Sequence, residues 1–160
     1  MSFPTISGTP TLVNDLLPKA KLGGLYETAD GKVWRYVKVV GTAGSVIAGD
    51  ACVWANTADG YSVTIIAASA LTVVGVARCA GVAQASITTG QYGYVLVRGI
   101  GTARGDGSVA AGEFIVVDGA TSPARNFDTL AAGEEQGVCG QALDADTGSP
   151  ALFNAVLWIA

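Results

Sequence analysis

The stretches "AGDACVW" (48–54) and "AGEFIVV" (111–117) decide how this chain is read, because they say nearly the same thing 63 positions apart. In each, glycine supplies a turn conformation that a side chain would oppose, an acid projects from the loop, and an apolar strand follows. Working outward, the first phrase extends through "VIAGDACVW" (46–54), "YSVTII" (61–66), "LTVVGVARCA" (71–80) and "YGYVLVRG" (92–99). The second runs in the same order: "VAAGEFIVVDG" (109–119), a looser middle around "SPARNFDTL", "EQGVCGQAL" (135–143) and "FNAVLWIA" (153–160). The order predicts an internal duplication. Four strands are too few to hide both faces alone, so the two copies are expected to close a small barrel or sandwich together.

Ahead of the first copy, Pro4, Pro10 and Pro18 mark residues 1–24 as an extended N-terminal arm, since proline removes a backbone donor and pushes its predecessor toward extended conformations. A β-hairpin follows over 25–40, with Asp30-Gly31 read as a primed turn and 33–40 as a strand of β-branched and aromatic residues. The expected fold is therefore all-β: arm 1–24, then one β-domain 25–160 built of the hairpin, repeat one (46–99) and repeat two (109–160). "AVLWIA" shows no polar alternation, so it is read as a central strand or one covered by a partner. A short helix is allowed near Ala67 to Thr72 or Thr129 to Glu135.

Composition narrows the function. Half of the 160 residues are hydrophobic and only 14% are charged, so part of the apolar surface is expected to lie against another subunit. Residues 1–40 hold five of the nine Lys and Arg while the rest is acidic, a split suited to contacts between neighbouring subunits. No dense basic patch exists, which argues against nucleic acid. The start, "MSFPTISGTP", lacks a signal pattern, and the longest apolar stretch (67–83) is broken by Arg78 and two glycines, so no membrane span is expected and the product reads as soluble and intracellular.

The absence of histidine removes Ser-His and Cys-His nucleophile pairs and the commonest metal ligand. Cys52, Cys79 and Cys139, odd in number and without C-x-x-C spacing, read as small core residues; laying "VVGVARCA" on "EQGVCGQA" sets Cys139 opposite Ala77. Asp50 and Glu113 are the acids that the repeat places equivalently, but acids in turns before strands are ordinary loop chemistry rather than a glycosidase pair. "DADTGS" (144–149) begins like a calcium loop and lacks its closing glutamate. "RGIGTARGDGS" (98–108) has glycines without the strand-to-helix context of a dinucleotide site, and its Arg104-Gly105-Asp106 reads as a chance tripeptide in a glycine-rich hairpin. No catalytic, cofactor or metal residue is assigned. Trp34 and Tyr36 share a strand face with Lys38, a mixture suited to a subunit contact; with Lys19, Lys21 and Trp158 they form the expected partner-binding set.

Taken together, "DGKVWRYVKV", "IAGDACVW", "VVGVARCAGVA", "GQYGYVLVRG", "VAAGEFIVVDG" and "NAVLWIA" resemble the small capsid decoration, or cement, proteins of tailed bacteriophages. That resemblance implies a non-enzymatic virion protein, made in the host cytoplasm, that sits on the outer surface of the head as a homotrimer and bridges neighbouring major capsid proteins without nucleic acid, membrane or cofactor. The alternative is a virion-displayed β-domain that binds glycans or the host surface.

Overall fold

The computed structural model describes residues 15–41, 44–55, 60–65, 79–117, 126–130, 137–148 and 150–159. The ten strands among these residues are β1 (Leu25–Glu27), β2 (Val33–Val39), β3 (Ala51–Trp54), β4 (Ser62–Thr64), β5 (Cys79–Ala83), β6 (Tyr92–Gly105), β7 (Phe114–Val117), β8 (Phe127–Thr129), β9 (Gly140–Ala142) and β10 (Ala151–Trp158). The chain is all-β: a five-stranded mixed barrel with further strands packed outside it, and no helix among the described residues. The candidate helix positions 67–72 and 131–135 lie outside the described residues.

The barrel closes in the order β2–β4–β3–β5–β6 and back to β2. Its one parallel pair joins β2 to β4 (Val39↔Val63); the others are antiparallel, including β2 with β6 (Val37↔Gly93). Val37, Val39, Cys52, Val63, Ala83 and Val95 fill it, all fully buried. These are small or β-branched side chains, as the narrow interior of a five-stranded barrel requires.

β6 does not stop at residue 99, where the sequence pattern places the end of its copy. It runs on to Gly105, and "RGIGTARG" is strand rather than hairpin loop. Along this second half it pairs with β10 (Ala103↔Phe153), β10 with β9, β9 with β7, β7 with β8, and β8 returns to β6 in parallel (Gly105↔Phe127). A second core joins Ala103, Ile115, Phe127, Ala142, Phe153 and Leu157 of these strands to Trp34, Ala51, Val82 and Leu96 of the barrel strands. Each pairing has a barrel counterpart in the same register: Cys52↔Gly81 beside Ile115↔Gly140, and Ala83↔Val95 beside Ala142↔Ala155. This register sets Cys139 across from Ala80 rather than Ala77, three positions from where phrase matching puts it.

The hairpin is present, but its turn differs from the expected one. A primed turn needs positive φ at Asp30, and no non-glycine described residue has it. Instead Gly31 N–H donates to Thr28 O (2.9 Å), Gly31 takes φ 78°, and Thr28 N–H bonds Lys32 O, which is a type I turn closed by a left-handed glycine. The arm is also not simply extended. Residues 1–14 lie outside the described set, while 15–24 bend over β2: Asp15 bridges to Tyr92, and Gly23 and Gly24 exchange backbone hydrogen bonds with Tyr36.

Candidate partner-binding surface

β10 lies in mid-sheet between β6 and β9, and its side chains alternate. Phe153, Ala155 and Leu157 point into the second core, while Leu152, Asn154 and Trp158 face out and Val156 is half-buried. Period two therefore operates on an apolar strand, and its outer row is apolar apart from Asn154. Register carries that row across the sheet: Val156 lies opposite Ile100 on β6 and opposite Gln141 on β9, which lies opposite Phe114 on β7. Phe114 meets Trp158 edge to face, ring centres 6.2 Å apart. Ile100 (54% exposed), Phe114 (47%) and Trp158 (42%) make this an apolar face open to solvent, with Leu152 and Leu143 further along it. Clustered exposed apolar residues on a sheet are a feature of contact surfaces.

The six residues picked from the sequence do not converge. Trp158 stands on this face beside Arg98, its cross-strand neighbour. Lys19 and Lys21 are exposed on the 15–24 segment, the Lys19 ammonium lying 2.6 Å from the Asp15 carboxylate. Lys38 sits over the Tyr92 ring at 5.6 Å. Trp34 (3% exposed) and Tyr36 (0%) are buried within the chain's own fold, which corrects their reading as contact residues. Tyr36 is covered because residues 15–24 cross it: its hydroxyl donates to Asp15 Oδ2 (3.0 Å) and accepts from the Lys19 backbone N–H (3.0 Å). Burial, with Asp15 adding to it, pushes the Tyr36 phenol up to about 12. Phe114 and Ile100 were missed because a strand's outward row becomes visible only once its register is known.

The acids singled out in the sequence, Asp50, Glu113, Asp106, Asp144 and Asp146, each accept a backbone N–H. Asp50 Oδ2 accepts the Ile47 N–H (2.9 Å) and Glu113 Oε2 accepts the Ala110 N–H (2.9 Å), the same turn closed in the same way. Asp50 also receives Arg104 Nε (3.1 Å), and Arg104 donates to Ala48 O, so Arg104 and Gly105 are held at the end of β6 with the arginine engaged, and Asp106 follows the strand. Asp144 accepts from the Asn154 backbone and side chain, and Asp146 accepts from the Gly107 N–H. Among the described residues no group of three His, Cys, Asp or Glu side chains is arranged to hold a metal ion, and no helix is long and apolar enough to cross a membrane. All three cysteines are buried as free thiols; burial drives Cys52 well up, and a hydrogen bond with Cys79 together with burial does the same to Cys139.

No family model matches the chain, and no curated protein matches it in sequence.

Proposed function

We propose that this chain is a non-enzymatic structural protein of a tailed bacteriophage, placed on the outer surface of the head, where as a homotrimer it bridges neighbouring major capsid proteins and stabilises the shell. The observation that carries the reading is the open apolar face of β6, β10, β9 and β7, centred on Trp158, Phe114 and Ile100. The phrases that resemble cement proteins support it, and so does the separation of a lysine-bearing 15–24 segment from an acidic body. Several modest contacts made at once raise the effective affinity of such a protein far above that of any one contact. We also read the two sets of five pairings as two copies of one unit. β6 is then the last strand of the first copy and the opening strand of the second.

The test is co-sedimentation of the purified chain with undecorated, expanded heads of the phage that encodes it, beside a truncation that starts at Asp15. That cut spares the contact between Asp15 and Tyr36, which removal of residues 1–24 would destroy. Saturable binding supports the proposal, and weaker binding by the truncation places part of the contact in residues 1–14. No binding by the full chain sinks it and leaves the glycan-binding alternative, for which ligand quenching of the exposed Trp158 is the readout.

A further inference from the structure

Among the described residues, two separate exposed features each carry adjacent or clustered large apolar side chains. One is the sheet face just described. The other is Leu16-Leu17, 77% and 76% exposed, the most open of the large hydrophobic side chains among the described residues. Asp15 fixes this pair near Tyr92, at the start of β6. Ile100 lies eight residues further along the same strand, about 26 Å at ~3.3 Å per residue. With Asp15 held at one end of β6, Leu16 and Leu17 cannot reach the apolar face of their own chain.

The net charges beside the two features are opposite, with Lys19 paired to Asp15 in the segment and Arg98, paired to Glu27, beside Trp158 on the face. Leu16-Leu17 is followed at once by Lys19 and Lys21, both exposed, the Lys19 side chain 70% so. On the face, Glu113 directly precedes Phe114 and Asp144 directly follows Leu143, and both acids are exposed. Each feature thus joins an apolar centre to a charged flank, and the flanks complement each other.

The geometry points to a second copy of this chain as the occupant of the face: Leu16 and Leu17 of one copy pack on Ile100, Phe114 and Trp158 of the next, with Lys19 and Lys21 set toward Glu113 and Asp144. The contact is heterologous, since it joins two different patches, so it closes into a ring when the rotation between copies allows. This deepens the self-association in the function proposed above and rests on that reading only for its biological setting.

Sedimentation velocity on the full chain tests it, beside two variants: Leu16→Asp with Leu17→Asp, and Ile100→Lys, with Phe114→Lys held as a replacement should Ile100→Lys lose the β circular-dichroism spectrum. The wild type is expected to sediment as an oligomer that loosens as salt is raised, and each variant as a monomer. Mixed one to one, the two variants are expected to form a dimer and nothing larger, because the intact Leu16-Leu17 of one still fits the intact face of the other. A monomeric wild type, a folded variant that still assembles, or a mixture that stays monomeric overturns the inference. Head binding is read separately: a monomeric wild type that binds heads leaves the capsid reading standing without this contact. An oligomer that ignores heads leaves the contact standing without the capsid reading.

Discussion

The barrel and the strands outside it run the same pairings with different fillings. Where the barrel sets Val39, Ile87 and Gly93, the second core has Gly105, Asp146 and Phe153 at the corresponding register positions. A Cβ on Gly93 would press on the Ile87 side chain at 2.7 Å, and one on Gly105 would collide with the Asp146 carboxylate. Each bulky group is thus matched by a glycine across from it, and the position of the glycine has moved between the two regions. What is kept is the backbone hydrogen bonding and the total volume, while the side chains that supply the volume are exchanged.

The turns teach the same lesson with a sharper consequence. Gly49 and Gly112 hold nearly equal φ, 88° and 86°, and Asp50 and Glu113 close the same turn. Asp50, however, is fully buried against Arg104 of β6, whereas Glu113 is exposed. One acid therefore ties the barrel to the shared strand and the other only closes its loop.

The largest contrast is expected there. Asp50→Ala should lower unfolding free energy by about 3–5 kcal/mol, because it strands Arg104 beside a buried gap and frees the Ile47 N–H. Glu113→Ala should cost only about 0.5–1 kcal/mol, the worth of an exposed cap. Equal losses in urea titrations would show that the ion pair does not distinguish the regions. Next in size are the glycines. Gly112→Ala adds a Cβ in open space and should lose about 1–2 kcal/mol through its positive φ alone. Gly49→Ala adds contacts with Leu152 and the Arg104 backbone nitrogen and should lose about 3 kcal/mol. Thermal melts of the two should differ clearly, and a reversed order would mean that the turn can move away from β6.

Alkali should act on the barrel side. Tyr36 lies at the position that Thr102 holds in the second region, and Thr102 has no titrating group there. A phenol raised from 10 to about 12 favours the protonated folded state. The stability it contributes is complete below pH 10 and is lost as pH rises from 10 through 12, by up to about 3 kcal/mol. Tyr36→Phe should flatten that part of the pH profile, and an unchanged profile would assign the alkaline loss elsewhere. The smallest effect is chemical: with its thiol pushed up and buried, Cys139 should stay unmodified by an aromatic disulfide reagent in the native protein and react after denaturation, as mass spectrometry of the labelled peptides would report.

Much of this was legible in the sequence because hydrophobic strands and glycine-acid turns are local signals. "AGDACVW" and "AGEFIVV" each carry a glycine-acid turn into a strand, β3 and β7, and "VWRYVKV" is a strand. The second half of β6 was not legible, since Gly99, Gly101 and Gly105 read as loop until their neighbours are known. Lys32, Leu96 and Asp146 occupy the space that their side chains would need. Register between β5 and β9 was likewise hidden, because Gly81 and Gly140 correspond through pairing with β3 and β7 and not through any shared phrase. Of the candidate surface, Trp158 was accessible to sequence reasoning. Trp34 and Tyr36 misled it, because the cover over Tyr36 comes from residues 15–24 folding back.

β6 belongs to both regions along one unbroken backbone, which makes it a party wall between two rooms. Neither room can be vacated alone, because removing the strands of one leaves the wall with a bare edge facing water. Growth by the same plan is economical: a further unit would need four new strands and a longer β10, since the fifth wall would already be standing.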